Sequence, residues 1–143
     1  MRLHLGCGNE YIPGWLNVDK SKDSAADEFW DLEEPFPLND NTVSSIRSKF
    51  LIEHIANDKQ FFNEMYRVCR DGARVHLFVP KFPGEGAVDW DHKSFWNMRK
   101  FNYLLARNRD TEMGLECNFT IIEAIEHVDN GIEILDVLLG VVK

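Results

Sequence analysis

Three residues near the start of the chain have the types and spacing of a nucleoside-binding turn. Gly6 and Gly8 flank Cys7 directly after an apolar run, and Asp19 closes a second apolar run. Glycines at such a turn let a ligand lie against bare backbone, and an acid at the end of the second strand can accept hydrogen bonds from both hydroxyls of a ribose. The dinucleotide fingerprint asks for more: a third small residue, and a helix whose N-terminus holds a pyrophosphate. Here Ile12 stands at the third position, and Pro13-Gly14 leaves no room for an ordinary helix before Leu16. A ligand with a ribose and no phosphate loses nothing by that absence, so a nicotinamide dinucleotide enzyme is the less favoured reading.

Asp89, Asp91 and His92 form a second group of chemically able residues. They fall in a loop that leaves the carboxyl edge of a strand, where open parallel sheets bind ligands. An imidazole moves protons near neutrality, which makes His92 the candidate base, with Asp89 as its orienting partner or a substrate contact. The bland reading of the same loop is a solvated histidine beside two acids. Glu53 and His54 read as the start of a helix or the packing of its loop. Phe82, Trp90, Phe95 and Trp96 could stack on an aromatic acceptor or form core and subunit contacts. Cys7 reads as a small turn residue whose backbone matters, since nothing basic neighbours it in sequence. No His-Glu-x-x-His, paired cysteine or carboxylate cluster is present, and no metal is expected.

These residues need a scaffold, and the hydrophobic pattern supplies one. Arg2–Gly6, Leu16–Asp19 and, more weakly, Asp27–Leu32 are predicted strands, followed by a turn-rich stretch and a fourth strand over Val43–Phe50. Apolar residues at helical spacing predict a helix from about Ala56 to Arg70, ended by Asp71-Gly72, and then a strand over Ala73–Pro80. Residues 81–92 are a loop, and Ser94–Asn108 a second helix with Phe95, Met98, Phe101, Asn102 and Leu105 on or near one face. Two last strands, Cys117–His127 and Ile132–Val142, flank Asp129-Asn130-Gly131, a strong hairpin signal. Strands alternating with helices imply an α/β fold with a mostly parallel sheet, to which the C-terminal hairpin adds an antiparallel strand.

Composition narrows the partners. With 24 Asp plus Glu against 16 Lys plus Arg, the formal charge is −8, and a nucleic-acid partner is disfavoured because phosphate neutralisation needs a basic face. Three scattered cysteines make neither a disulfide framework nor a metal knuckle and are expected to be reduced thiols. The longest apolar run is broken by Asp136 and Gly140, so no membrane span is expected, and with no leader pattern the cytoplasm is the expected compartment. One globular domain over residues 1–143 accounts for the length, and a homodimer would help bury the sheet edges.

The order of these motifs resembles the class I S-adenosylmethionine-dependent methyltransferases, particularly small, minimal-core members. Leu5-Gly6-Cys7-Gly8-Asn9, Gly14-Trp15 and Asn17-Val18-Asp19 look like the family's first motif. The stretch "DLEEPFPLNDNTVSSIRSKFLIEHI", residues 31–55, is similar to its Asp-Leu, Pro-Phe-Pro, fourth-strand and Leu-Glu-His segment, and "FFNEMYRVCRDGARVHLFVP" to its next helix and strand. The resemblance covers roughly residues 2 to 82. It implies a three-layer Rossmann-like fold with an abbreviated first helix, and S-adenosyl-L-methionine as cofactor. Leu5, Gly6, Cys7 and Gly8 would cradle the methionine part, and Asp19 would bind the ribose. Asp31 and Leu32 would flank adenine, while Ser48, Lys49 and Phe50 would lie under the cofactor. Two positions depart from the pattern: His4 stands where many members carry an acid, and Phe50 where a histidine is common. The implied activity is methyl transfer to a small or modest-sized acceptor. The alternative, motivated by those departures and the short chain, is a catalytically weak or inactive binding or assembly module.

Overall fold

A computed structural model describes residues 1–143. Seven strands form one sheet: β1 (Arg2–Leu5), β2 (Leu16–Asp19), β3 (Glu28–Phe29), β4 (Val43–Lys49), β5 (Cys69–Pro80), β6 (Phe119–Asp129) and β7 (Ile132–Val141). Their spatial order is β3-β2-β1-β4-β5-β7-β6. The pairs from β3 to β5 are parallel, and β7 runs antiparallel to both β5 and β6. Two α-helices complete the frame, α1 (Asp58–Val68) and α2 (Met98–Ala106). Neither they nor any other helix is long and apolar enough to cross a membrane.

Register explains the single core. Leu3, Ile46, Val75 and Leu139 are aligned across four strands and point to one face, as do Leu77 and Val137 one pleat further on. Onto that face α1 lays Phe61, Phe62, Met65 and Val68, and α2 lays Phe101 and Leu104, all within one continuous buried cluster. Trp96, 1 % exposed, is wedged between the helices with its ring 5.7 Å from Phe62 and 4.9 Å from Phe101.

The opposite face carries Arg47, Lys49, His76, Phe78, Asp136 and Leu138, by the same alternation. Neither α-helix packs there. The guanidinium of Arg47 lies 4.5 Å from the Phe78 ring centre, and His76 hydrogen-bonds Asp136. The class is the expected α/β sheet with a closing hairpin and no first helix, and its layering is thinner than three full layers. The reason is local: the connections β1–β2, β2–β3 and β3–β4 contain turns and no α-helix, so nothing in them can cover that side.

Element boundaries differ from expectation where side chains outcompete periodicity. α1 starts one residue after Asn57, whose carboxamide caps the Gln60 N–H at 3.2 Å. It ends before Cys69, and Asp71-Gly72 forms an irregularity inside β5, with Gly72 at φ +71 where the register slips between Val43 and Ser45. α2 begins at Met98 because Asn97 caps Lys100, and the preceding Ser94–Trp96 stretch runs extended, Trp96 bridging to Lys81. Phe95 and Asn102 are therefore exposed, and Leu104 joins Phe101 in the core. β3 is two residues, shorter than the predicted Asp27–Leu32. The hairpin forms as read: Asn130 and Gly131 have φ of 50 and 82, both positive as a two-residue type I′ turn requires.

Candidate functional site

The ends of β1, β2 and β4 open onto a cleft of about 210 Å³ lined in part by Gly6, Asp19, Asp31, Leu32, Leu51 and Ile55. Its floor is set by the first turn. Gly6 has φ +64, and a Cβ there would lie 2.9 Å from Leu51 Cδ1, so only glycine keeps both the turn and the cleft wall. Gly8, at φ +51, donates its N–H to Asp19 Oδ2 at 2.8 Å, and Ser21 N–H donates to Asp19 Oδ1 at 2.9 Å. An ionised carboxylate accepts about four hydrogen bonds. Asp19 is therefore fixed by two backbone donors and keeps capacity for two more, which is what a ribose diol needs.

Asp31 is exposed at the cleft rim and accepts from Glu33 N–H at 3.0 Å, while Leu32 beside it is buried. Glu33 receives Ala56 N–H, Asn57 N–H and the Lys93 ammonium. Burial pushes its carboxyl up, these donors outweigh it, and the group ends below its ordinary range. No helix begins after the glycine turn, because residues 9–15 are turns and irregular chain. The cleft thus offers a carboxylate to a diol and an apolar wall at Leu32 and Ile55, and presents no helix N-terminus to a pyrophosphate.

The other expected cofactor residues are distributed around this cleft. Leu5 is fully buried beneath it, and Cys7 is buried in the turn, its thiol pushed up by burial. Ser48 is buried on the helix side, with no partner for its hydroxyl. Lys49 follows the strand alternation to the opposite face, where its ammonium pairs with Asp129 at 3.2 Å. Phe50 has φ +54, a costly conformation for a bulky residue, and lines a second pocket instead.

That second pocket, about 290 Å³, adjoins the first and shares His54 with it. Phe50, Glu53, Pro80, Asp89, Asp91 and His92 are among its other walls. His92 Nδ1 lies 3.2 Å from the Ala87 carbonyl, which can only accept, so Nδ1 carries the proton. Asp89 meets His92 through the main chain, His92 N–H donating to Asp89 O at 3.0 Å. The imidazoles of His54 and His92 stand edge to face with centres 4.7 Å apart. Glu53 is 2 % exposed with neither carboxylate oxygen hydrogen-bonded, and burial pushes its pKa up to about 7.

Glu53 and His54 were legible only as a helix start. They sit on the 3₁₀ turn Ile52–His54 directly after β4. What joins them to His92 is backbone: Lys93 and Ser94 N–H both donate to Glu53 O, at 2.8 and 3.1 Å. A contact between a strand end and a loop nearly forty residues later leaves no local pattern. The one available signal was an acid and a histidine at the carboxyl edge of a parallel strand.

Comparison with known proteins agrees with this layout. The family described as a methyltransferase domain matches residues 7–77, about half of the chain. No curated protein sequence matches. Among solved structures, the YcgJ protein of Bacillus subtilis superposes with a TM-score of 0.68 at 11% identity, covering 99% of this chain and 92% of that one. An S-adenosylmethionine-dependent methyltransferase from Aquifex aeolicus gives 0.68 at 15% identity, over 99% and 81%. A methyltransferase candidate from Haloferax volcanii, solved with the Trm112 methyltransferase activator, gives 0.67 at 14%, over 99% and 82%.

Proposed function

Because this chain belongs to the class I S-adenosylmethionine-dependent methyltransferase family, we propose that it transfers the sulfonium methyl of that cofactor to a small acceptor held in the pocket beside Phe50, His54 and His92. One observation carries the reading: two adjoining pockets share His54, one lined by Gly6 and Asp19, the other by Glu53, Asp89 and His92.

In this reading Asp19 accepts from the ribose hydroxyls with the capacity its two backbone donors leave free. Gly6, Cys7 and Gly8 present main chain to the methionine part. Asp31 accepts from the adenine amino group, and Leu32 and Ile55 cover the ring. The cofactor supplies an already activated methyl, so the protein's work is alignment and exclusion of water. When bound, the cofactor would supply a sulfonium methyl whose transfer to an acceptor lone pair leaves a neutral thioether, and His92 Nε2 would take the proton that the acceptor gives up. Nδ1 stays committed to Ala87 O throughout. Asp89 acts as an acceptor contact, since it does not orient the ring. Phe50 forms part of the wall of the acceptor pocket.

Calorimetric titration with S-adenosylmethionine and with S-adenosylhomocysteine, on the native chain and on Asp19→Ala, tests this. Micromolar binding that weakens at least tenfold in the variant, as expected for losing two charge-assisted hydrogen bonds, supports it. No binding of either compound refutes it. Binding without methyl turnover on any acceptor would leave the binding-module reading.

A further inference from the structure

We propose that Glu53, His54 and His92 together form a site for one divalent transition-metal ion of the zinc or iron(II) type, open toward the acceptor pocket. The proposal rests on reading that pocket as the acceptor's, and it adds a component the methyl-transfer reaction does not by itself demand.

The carboxylate of Glu53 and one ring nitrogen from each histidine all lie within 4.8 Å of one another. Zinc–ligand distances of about 2.0–2.2 Å place neighbouring ligand atoms roughly 3.3 Å apart, so small side-chain rotations close the set. Glu53 makes the case specific. Buried carboxylates are almost always hydrogen-bonded, yet both oxygens of this one are shielded from solvent without a partner. An orphaned acid facing two imidazoles is a donor waiting for a cation.

The histidines are prepared in the same sense. A metal-bound imidazole usually donates its other N–H to a carbonyl or carboxylate, which fixes the tautomer. His92 Nδ1 does so to Ala87 O at 3.2 Å, leaving the Nε2 lone pair free. The Asp91 carboxylate stands 3.6 Å from His54 Nδ1, placed as the kind of acceptor that orients a metal-bound imidazole. The frame is rigid: the carbonyl of Glu53 holds the N–H groups of Lys93 and Ser94, and Ser94 Oγ donates to Ile52 O. The residue offering the carboxylate thereby anchors the loop that offers the second imidazole.

Two imidazoles and one carboxylate suit zinc, iron(II) or cobalt, and are too few and too nitrogen-rich for calcium or magnesium. Three protein donors leave coordination positions facing the second pocket. An acceptor oxygen there would be polarised and would shed its proton at lower pH than in water. With the ion bound, His92 Nε2 serves as a ligand and the ion takes over acceptor activation.

The test uses the full chain stripped with a chelator, titrated calorimetrically with zinc chloride, and in parallel with cobalt(II) while the visible spectrum is followed. One zinc per chain at micromolar Kd or tighter is expected, with cobalt bands of a four- or five-coordinate nitrogen–oxygen site. Affinity should fall at least tenfold in Glu53→Gln, which preserves shape, and in His92→Ala, whose loop lies outside the core. His127→Ala, at an exposed position on β6, should bind as the native chain does. Absence of stoichiometric zinc binding, or affinity unchanged in both ligand variants, overturns the proposal. Titrating the same preparation with S-adenosylmethionine separates the two readings: cofactor binding without zinc binding sinks only the metal site, and zinc binding without cofactor binding sinks only the methyltransferase function.

Discussion

His4 Nδ1 and Asn17 Oδ1 meet at 3.2 Å on neighbouring parallel strands, both residues fully buried on the sheet face that lacks a helix. Asn17 does more than pair. Its Oδ1 accepts from Ile12 N–H at 2.9 Å, and its Nδ2 donates to Ile12 O, Trp15 O and Asp27 Oδ2. One carboxamide thus pins the loop that replaces the first helix and covers His4. The short connection survives because its polar groups are satisfied by a strand residue in place of helical hydrogen bonds.

Replacing Asn17 with Ala should accordingly cost about 2–4 kcal/mol, since it leaves several buried donors and acceptors unpaired at once. Urea unfolding of the variant measures this. A loss below about 1 kcal/mol would mean that the loop holds itself.

The same pair predicts an acid sensitivity. Burial lowers the pKa of His4 from its ordinary 6.5, and Arg47 adds to the lowering, while Asn17 and Glu10 oppose it. Below pH 6.5 the unfolded chain takes up a proton that folded His4 refuses, so stability falls as pH drops through that region and is unaffected above it. Melting temperatures between pH 7 and 5.5 should decline more steeply in the native chain than in His4→Gln. Parallel curves would show that His4 does not contribute.

Gly6→Ala separates backbone strain from wall geometry. The left-handed φ costs an L-residue about 1–2 kcal/mol, and the added Cβ meets Leu51 at 2.9 Å. The expected result is a stability loss of about 1–3 kcal/mol together with at least tenfold weaker S-adenosylmethionine binding. Gly114→Ala, with φ +74 and open space around its Cβ, should share only the strain.

Trp96 should be the most sensitive core position outside the sheet. It is 1 % exposed, packs on Phe62 and Phe101, and donates Nε1–H to Ser94 Oγ at 2.8 Å. Trp96→Ala should lose about 3–5 kcal/mol, read as a lowered denaturant midpoint, whereas Ala at the 97 % exposed Trp90 should change it by less than about 0.5 kcal/mol.

What could be read beforehand was whatever short-range chemistry decides. Asn130-Gly131 specifies its own turn, and Gly6, Asp19, Asp31 and Leu32 reach the cleft because they close successive strands at one sheet edge. The start of α2 was hidden, because Ser94 to Asn97 fits a helical pattern and only the burial of Trp96 and the cap by Asn97 pull it straight. Strand alternation sends Ser48 and Lys49 to opposite faces of the sheet, where Lys49 pairs with Asp129. The trio of Glu53, His54 and His92 is joined by tertiary hydrogen bonds to Glu53 O, and a pairing across some forty residues leaves no local pattern.

The one-sided sheet also governs how the molecule answers to solvent and heat. Apolar area buried on folding sets both the denaturant slope and the heat-capacity change. A sheet whose second face stays partly wet buries less of it than an equally long chain covered on both sides. This protein should therefore unfold over a broader span of urea and follow a flatter curve of stability against temperature. It would give up some sharpness in its melting for a margin that varies little across the range in which it works.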